Sequence, residues 1–171
     1  MNRRLRVLNF ELGTLTFVNT AKHKVQSFKV HKNVDSRLEL HINMEKINLK
    51  QKLSLFDDYW NPRIAAELNG QFVKLVKFKG PFTWHHHESE DELFMVVKGR
   101  FRMDFREGSS GQNENAQTIW IEEGEMIIVP RGIEHCPVAE EECHVLLFEP
   151  VSTLNTGNTE NELTRKELAK I

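Results

Sequence analysis

The 171-residue chain has the length of one ordinary domain and can bury its own core without a disulfide framework. Hydrophobic residues make up 39% and charged residues 28%, a balance typical of globular rather than disordered chains. The formal net charge of −2 gives no reason to expect nucleic acid or an anionic membrane as a partner. No segment approaches the roughly 20 apolar residues of a membrane helix. We see no export signal, so we expect a cytoplasmic protein whose two cysteines are reduced.

The first 43 residues differ in character from the rest of the chain. They hold scattered histidines and many basic residues without a clear period. We expect residues 1–43 to be an N-terminal extension, either poorly ordered or upstream of a natural start at Met44. The alternative is a pair of edge strands at 15–18 and 38–40. Residues 44–171 are then a single domain.

The second region begins with a short predicted helix and continues as β-structure. Ile47, Leu49, Leu53 and Phe56 approximate a helical stripe that ends at Asp57 and Asp58. From residue 69 onward, short runs rich in Val, Ile, Phe and Leu alternate with turns, which favours a sandwich or barrel. The predicted strands are Phe72–Lys79, Leu93–Val97, Phe101–Phe105, Thr118–Ile121, Met126–Val129 and His144–Phe148.

Three polar segments interrupt or follow these strands. Residues 108–117 are predicted to be a long polar Gly/Ser/Asn loop, and the acidic stretch 139–142 is predicted to be a turn between two strands. Thr164 and Glu167 have the spacing of a capping box, which predicts a short last helix that ends near Ile171.

The segment Trp84–Glu92, with three consecutive histidines, is the strongest indication of chemistry. Side chains alternate between the faces of a strand, so His85 and His87 point the same way and His86 points the opposite way. Two imidazoles on one face can reach one metal ion. Glu92 heads the next apolar run and is the best placed carboxylate to join them, with Glu90 as the alternative. A later strand ends in the turn Pro130–Gly132, which delivers His135.

These two segments resemble the motifs of the cupin superfamily. The first motif is matched by Gly80, His85, His87, Glu92 and Gly99, and the second by Gly124, Pro130, Gly132 and His135. Gly80 lies one residue nearer His85 than the common pattern has it, and Ala139 stands where many cupins carry Asn. The wider stretch 44–171 resembles a small bacterial single-cupin group, some of whose members are called phosphomannose-isomerase-like.

The resemblance implies an all-β jelly-roll β-barrel with short flanking helices and a metal ion in its interior. It also implies that the metal ligands are His85, His87, Glu92 and His135. Three imidazoles and one carboxylate suit one divalent ion, with iron, manganese or zinc ahead of nickel and cobalt. The open coordination positions would take a small molecule.

The function stays open between two classes and a weaker third. One is a metal-dependent enzyme, such as a dioxygenase or a sugar isomerase or epimerase; another is a non-catalytic small-molecule-binding or metal-binding module. The third is a metal-free structural cupin. An enzyme on phosphorylated sugars needs an inward Lys or Arg, yet the predicted inward positions are mostly apolar. No general base is evident beyond the nominal candidates Tyr59 and Glu134. The strand 93–97 is apolar on both faces, which predicts a homodimer or coverage by the helix near 47–57.

Overall fold

The computed structural model describes the backbone of three strands before residue 30 and the full chain over residues 45–106 and 117–171. The chain divides into two compact units, Met1–Lys46 and Ile47–Ile171. In the first unit, β1 (Arg6–Glu11), β2 (Thr14–Val18) and β3 (Val25–Lys29) form an antiparallel sheet in the order β1-β2-β3. The expected strand at 15–18 coincides with β2, which lies between β1 and β3 rather than at an edge, and 38–40 lies outside the described residues. The expectations about the origin and order of residues 1–43 stay predictions.

Over its described residues, the second unit holds one short helix and a seven-stranded antiparallel sheet. The path β4-β5-β10-β6-β9 is joined by β7, which pairs with β10 and β8. Such a sheet agrees with the predicted all-β jelly-roll fold. The elements are α1 (Leu49–Leu53), β4 (Arg63–Leu68), β5 (Gln71–Pro81), β6 (Glu92–Lys98), β7 (Arg100–Phe105), β8 (Gln117–Glu122), β9 (Met126–Val129) and β10 (His135–Pro150).

The long strand β10 organises this unit because it pairs with three others. Its first residues pair with β7, and its later residues lie between β5 and β6. The register shifts between Ala139 and Cys143, so residues 139–142 form an irregularity within one strand. The predicted turn at this acidic stretch is therefore wrong. Cys136 and Cys143 are both buried as free thiols.

Alternating residues of these strands build the main core. The inward positions carry mainly large apolar side chains, and Lys74 and Glu149, two polar residues outside the predicted ligand set, are also fully buried. The predicted inward positions are thus mostly, but not entirely, apolar. The core includes Val76, Phe78, Phe94, Val96, Phe101, Met103, Val129, Val145 and Leu147.

Helix α1 covers part of the outer face of this sheet. Asn48 caps the helix by accepting a hydrogen bond from the backbone N–H of Gln51 at 3.1 Å. Leu53 packs with Phe56 and Leu75 into a second apolar cluster, which Val97 joins from β6. The predicted coverage of the 93–97 strand is confirmed for Val97.

Two further expectations are corrected by the described residues. Sequence reasoning missed strand β4, whose pairing partner is β5. The last helix predicted from the capping box is wrong, because the Thr164 hydroxyl bonds the backbone of Asn161 and the hydroxyl of Thr156 instead. The last residues lie beside β4 instead: the Ile64 N–H donates to the Ala169 carbonyl, and the Ile171 N–H donates to the Ile64 carbonyl. No helix among the described residues has the length and apolar character needed to cross a membrane.

Candidate metal centre

The three-histidine segment lies directly beside the start of β10. His85 and His135 exchange two backbone hydrogen bonds, of 3.1 and 2.9 Å, and form an isolated antiparallel bridge. This bridge brings the two imidazole rings to a centroid separation of 4.3 Å. His87 lies on the same side, with its ring centroid 5.1 Å from that of His85. His85 and His87 therefore point the same way, as strand alternation predicts.

One turn and one strand pairing hold His87 and Glu92 in place. Gly132 adopts a positive φ of 78° after Pro130, and its N–H donates to the His87 carbonyl at 2.7 Å. Glu92 is the first residue of β6 and pairs with Val129 of β9. These two contacts join the segment that holds His87 and Glu92 to residues 129–132, just before β10 begins at His135.

The structure brings the four predicted ligands into one buried group. His85, His87, Glu92 and His135 each offer one ligand atom, and these atoms lie within 4.8 Å of one another. The Glu92 Oε2 atom is 3.0 Å from the His87 Nε2 and 3.3 Å from the His135 Nε2. Ligands bound at about 2.1 Å on adjacent positions of one ion stand about 3 Å apart. The observed separations therefore suit one ion.

Backbone carbonyls set the tautomers of two of the histidines. The His85 Nδ1 lies 3.0 Å from the Thr83 carbonyl, and the His135 Nδ1 lies 2.8 Å from the Ile133 carbonyl. Because a carbonyl can only accept, each Nδ1 carries the hydrogen. Each Nε2 is then left with a lone pair, as a metal ligand requires.

The charges inside the cluster favour neutral imidazole beside an ionised carboxylate. Burial, with repulsion from His135, lowers the pKa of His85 to about 4. Burial would raise the pKa of Glu92, but its contacts with His135 and His87 hold that pKa well below its usual range. At neutral pH, His85 is therefore neutral and Glu92 is ionised, as metal ligands require.

The polar atoms that face the centre of the cluster have no partner within the described chain. The His87 Nε2, the Glu92 Oε2 and the His135 Nε2 are all buried without a hydrogen bond. Unsatisfied buried polar atoms are costly and rare, and three that converge on one point demand an explanation. A divalent cation would satisfy all three, so the donor set fits a metal.

A small cavity opens beside the cluster. Its enclosed volume is about 30 Å³. His85 and Glu92 form part of its wall, and the rest is mainly aromatic and aliphatic, including Trp60, Phe78 and Phe94. The wall carries no Lys or Arg from the described residues. Glu149 also lines the cavity and is the one wall residue with a carboxylate outside the ligand set.

Sequence reasoning missed the buried polar pair that Glu149 forms with Lys74. The Lys74 ammonium donates to the Glu149 Oε1 at 2.6 Å, and both side chains are about 1% exposed. Burial, with repulsion from Glu92, raises the pKa of Glu149 well above its ordinary value. The parity of Lys74 with Val76, and of Glu149 with Leu147, was a signal that both residues point inward.

The other residues considered from sequence lie outside the cluster. His86 faces away, as predicted, and bonds Glu134 at 3.0 Å and Glu88 at 2.8 Å. Glu134 is also paired with Arg106, so it is committed to a structural network rather than free as a base. The remaining candidates are likewise engaged elsewhere: Tyr59 and His144 both bond Glu142, and Glu90 accepts from Ser152.

Comparison with known proteins supports the same assignment. Residues 74–149 match the family model described as the cupin domain. A cupin-2 domain containing protein from Shewanella frigidimarina is 42% identical, with a TM-score of 0.55 over 61% of this chain and 93% of that one. A protein from Neisseria meningitidis is 35% identical, with a TM-score of 0.54 over 62% of this chain and 99% of that one.

More distant similarities add the fold alone or cover only part of a relative. The uncharacterized protein YdbB of Bacillus subtilis is 31% identical over 70 residues, which span 41% of this chain and 55% of that protein. The chain thus matches about half the length of this curated relative. Hydroquinone 1,2-dioxygenase from Sphingomonas sp. TTNP3 shares the fold at 19% identity, with a TM-score of 0.55 over 72% of this chain and 36% of that one. None of these relatives points specifically to the phosphomannose-isomerase-like group. The matched motifs, the fold and the relatives together show that the chain belongs to the cupin superfamily.

Proposed function

We propose that His85, His87, Glu92 and His135 bind one divalent metal ion, and that the ion takes a small molecule from the adjacent cavity. The observation that carries the proposal is the convergence of three buried, partnerless ligand atoms on one point. A donor set of imidazoles and one carboxylate suits iron, manganese, zinc, nickel or cobalt. Availability in cells favours the first three.

The residues of the chain supply position and environment for such an ion. The carbonyls of Thr83 and Ile133 orient the rings of His85 and His135, and the bridge between these two histidines keeps their spacing. The apolar wall excludes water from one side of the cluster, which strengthens electrostatic interactions there. A bound ion would supply Lewis-acid or redox chemistry to a molecule in the cavity.

Within the enzyme classes that the sequence leaves open, the cavity disfavours phosphorylated sugars. A phosphate group is held in proteins by Lys, Arg or clustered backbone N–H groups. Lys74, which is buried, is already paired with Glu149 and does not line the cavity. The aromatic lining instead favours a small molecule with a substantial apolar part, whether it is converted or only bound.

Metal reconstitution tests the proposal. Metal-free protein should gain thermal stability on addition of zinc or manganese, because a ligand that binds only the folded state stabilises it. Glu92→Gln removes the charged ligand and should abolish most of this gain. His144→Ala removes a histidine outside the cluster and should respond like the wild type. An equal response of all three proteins would exclude the cluster as the binding site.

A further inference from the structure

An open groove lies between helix α1 and the outer face of the sheet. Its volume is about 560 Å³, within the range of small-molecule sites in proteins, and none of the four candidate metal ligands lines it. Lys77, His144 and Lys98 line it from paired positions on the neighbouring strands β5, β10 and β6. These side chains form a polar row across the sheet, and Lys50 and Leu53 face the groove from the helix.

Lys77 is the unusual member of this row because its charge is buried and its partner is not. The Lys77 side chain is 6% exposed, and its Nζ donates to the Asp57 Oδ1 at 3.0 Å. The Asp57 side chain is 98% exposed, so water solvates its carboxylate and the pair gains little free energy. A buried ammonium nevertheless needs an acceptor. Asp57 is therefore a partner that the carboxylate of a ligand can replace.

The charges along the groove favour a singly charged anion. Lys50, Lys77 and Lys98 supply three ammonium groups, whereas Asp57 and Glu123 supply two carboxylates. One positive charge on the lining is therefore unmatched. A carboxylate carries one negative charge at neutral pH, whereas a phosphate monoester carries nearly two. The balance thus suits a monocarboxylate better than a phosphate.

The groove also has an apolar part that would hold the body of such a ligand. Leu53 and Val97 line it from α1 and β6, and both belong to the second apolar cluster. The carboxylate of Glu142 stays outside the lining, because His144 lies 2.9 Å from it and the Tyr59 hydroxyl donates to it at 3.1 Å. The apolar contacts and the buried ammonium therefore lie side by side in one groove.

We propose that this groove binds a small monocarboxylate with an apolar body. The carboxylate of the ligand replaces Asp57 at the Lys77 ammonium, and the apolar body lies against Leu53 and Val97. This second site is separate from the metal cluster, so the inference goes beyond the proposed function and does not depend on it.

Benzoate and benzamide test the assignment because they have nearly the same shape and only benzoate is charged. Binding is measured by NMR titration of the full-length protein as purified. Lys77→Met removes the ammonium and leaves no buried charge behind, because Asp57 is exposed. Lys79→Met is the matched control, since Lys79 lies on the same strand, is exposed and does not line the groove.

The wild type and Lys79→Met should bind benzoate about tenfold more tightly than benzamide, as a hydrogen bond from a charged donor allows. Lys77→Met should bind the two molecules equally. Asp57→Asn removes the competing carboxylate and should bind benzoate about two- to fivefold more tightly than the wild type. The proposal is overturned if benzoate does not bind, if Lys77→Met keeps the preference, if Lys79→Met loses it, or if Asp57→Asn does not tighten benzoate binding.

Chelation separates the groove from the metal cluster, because a metal ion is also a carboxylate receptor. Protein treated with EDTA should bind benzoate as untreated protein does, whether or not the untreated protein holds metal. Benzoate binding that is lost on chelation and kept in Lys77→Met would place the carboxylate at the metal and overturn the groove. Benzoate binding that depends on Lys77 in protein that takes up no metal would support the groove and contradict the metal site.

Discussion

Substitution of Gly157 by alanine should disturb the metal cluster from the opposite end of the chain. Gly157 has a φ of +49°, and its turn lies against the three-histidine segment. The N–H of His86 donates to the Asn158 side chain at 2.9 Å, and the Asn158 N–H donates back to the His86 carbonyl at 3.0 Å. A Cβ at residue 157 would overlap the His86 carbonyl oxygen and come within 2.9 Å of its carbon and 3.3 Å of the His87 Cε1.

The expected cost of this substitution has two parts. The left-handed conformation costs an alanine about 1 kcal/mol. Displacement of the His86 backbone would break the two hydrogen bonds with Asn158, at about 1 kcal/mol each. We therefore expect Gly157→Ala to lower the free energy of unfolding by about 3 kcal/mol. Because His87 moves with His86, zinc affinity should fall by roughly 10- to 100-fold.

Gly124→Ala is the matched control for this experiment. Gly124 also has a positive φ, of 85°, but a Cβ there would meet no atom within 4 Å. It should cost only the conformational part, about 1 kcal/mol, and leave zinc affinity unchanged. Urea unfolding of the metal-free proteins and calorimetric zinc titration measure both quantities. If Gly157→Ala loses no more than Gly124→Ala in either assay, the turn does not position the histidines.

Three other predictions concern pH, assembly and the N-terminal unit. Metal-free protein should lose about 3 kcal/mol of stability between pH 7 and pH 4 through His85 alone, and His85→Gln should remove that part of the slope in urea unfolding. Ile128, 58% exposed on the edge strand β9, should lie in a dimer interface, so Ile128→Asp should convert a dimer into a monomer by light scattering. Val151→Asp, at another exposed apolar residue, should leave the dimer intact, and a monomeric wild type would contradict the prediction. Deletion of residues 1–43 should leave soluble protein that still binds zinc, whereas insoluble protein would show those residues to be structural.

The direction of the pH effect follows from the lowered pKa of His85. The unfolded state takes up a proton near pH 6.5, whereas the folded state does so only near pH 4. Stability is therefore lost as the pH falls through this window. The lowered pKa of Glu92 acts in the same direction, and the raised pKa of Glu149 acts in the opposite one. The test is therefore the slope of the free energy of unfolding against pH, compared between the wild type and His85→Gln. Equal slopes would contradict the prediction for His85.

The dimer prediction rests on the outer face of β6 and β9, in the part that helix α1 does not cover. Leu93 and Met95 are half-buried on β6 and pair with Ile128 and Met126 of β9. Ile128 and Met126 are 58% and 63% exposed. An apolar patch of this kind on a sheet edge is typical of an interaction surface.

The placement of the candidate ligands was predictable because it depends on local rules. Strand alternation puts His85 and His87 on one face and His86 on the other, and the structure agrees. The Pro130–Gly132 turn likewise delivers His135 to the cluster. Glu92 was preferred to Glu90 because it heads a strand, and Glu92 is the residue in the cluster.

The features that sequence reasoning missed depend on contacts between distant residues. Strand parity places Lys74 and Glu149 on inward faces, but only the pairing of β5 with β10 brings their charges together. The capping box at Thr164 failed because that hydroxyl found partners in the loop around Thr156. The acidic stretch 139–142 stayed within β10 because β10 pairs with β5 both before and after it, and the register shift absorbs the extra residues. In each case tertiary contacts overrode a local preference.

The central claim, one metal ion on four named ligands, is tested most directly by elemental analysis of protein purified without chelators. His87→Ala removes a ligand, and His86→Ala removes the neighbouring histidine that faces away. The account predicts about one equivalent of iron, manganese or zinc in the wild type and in His86→Ala, and a large loss in His87→Ala. Absence of metal from the wild type, even after reconstitution, or equal metal content in His87→Ala, would contradict it.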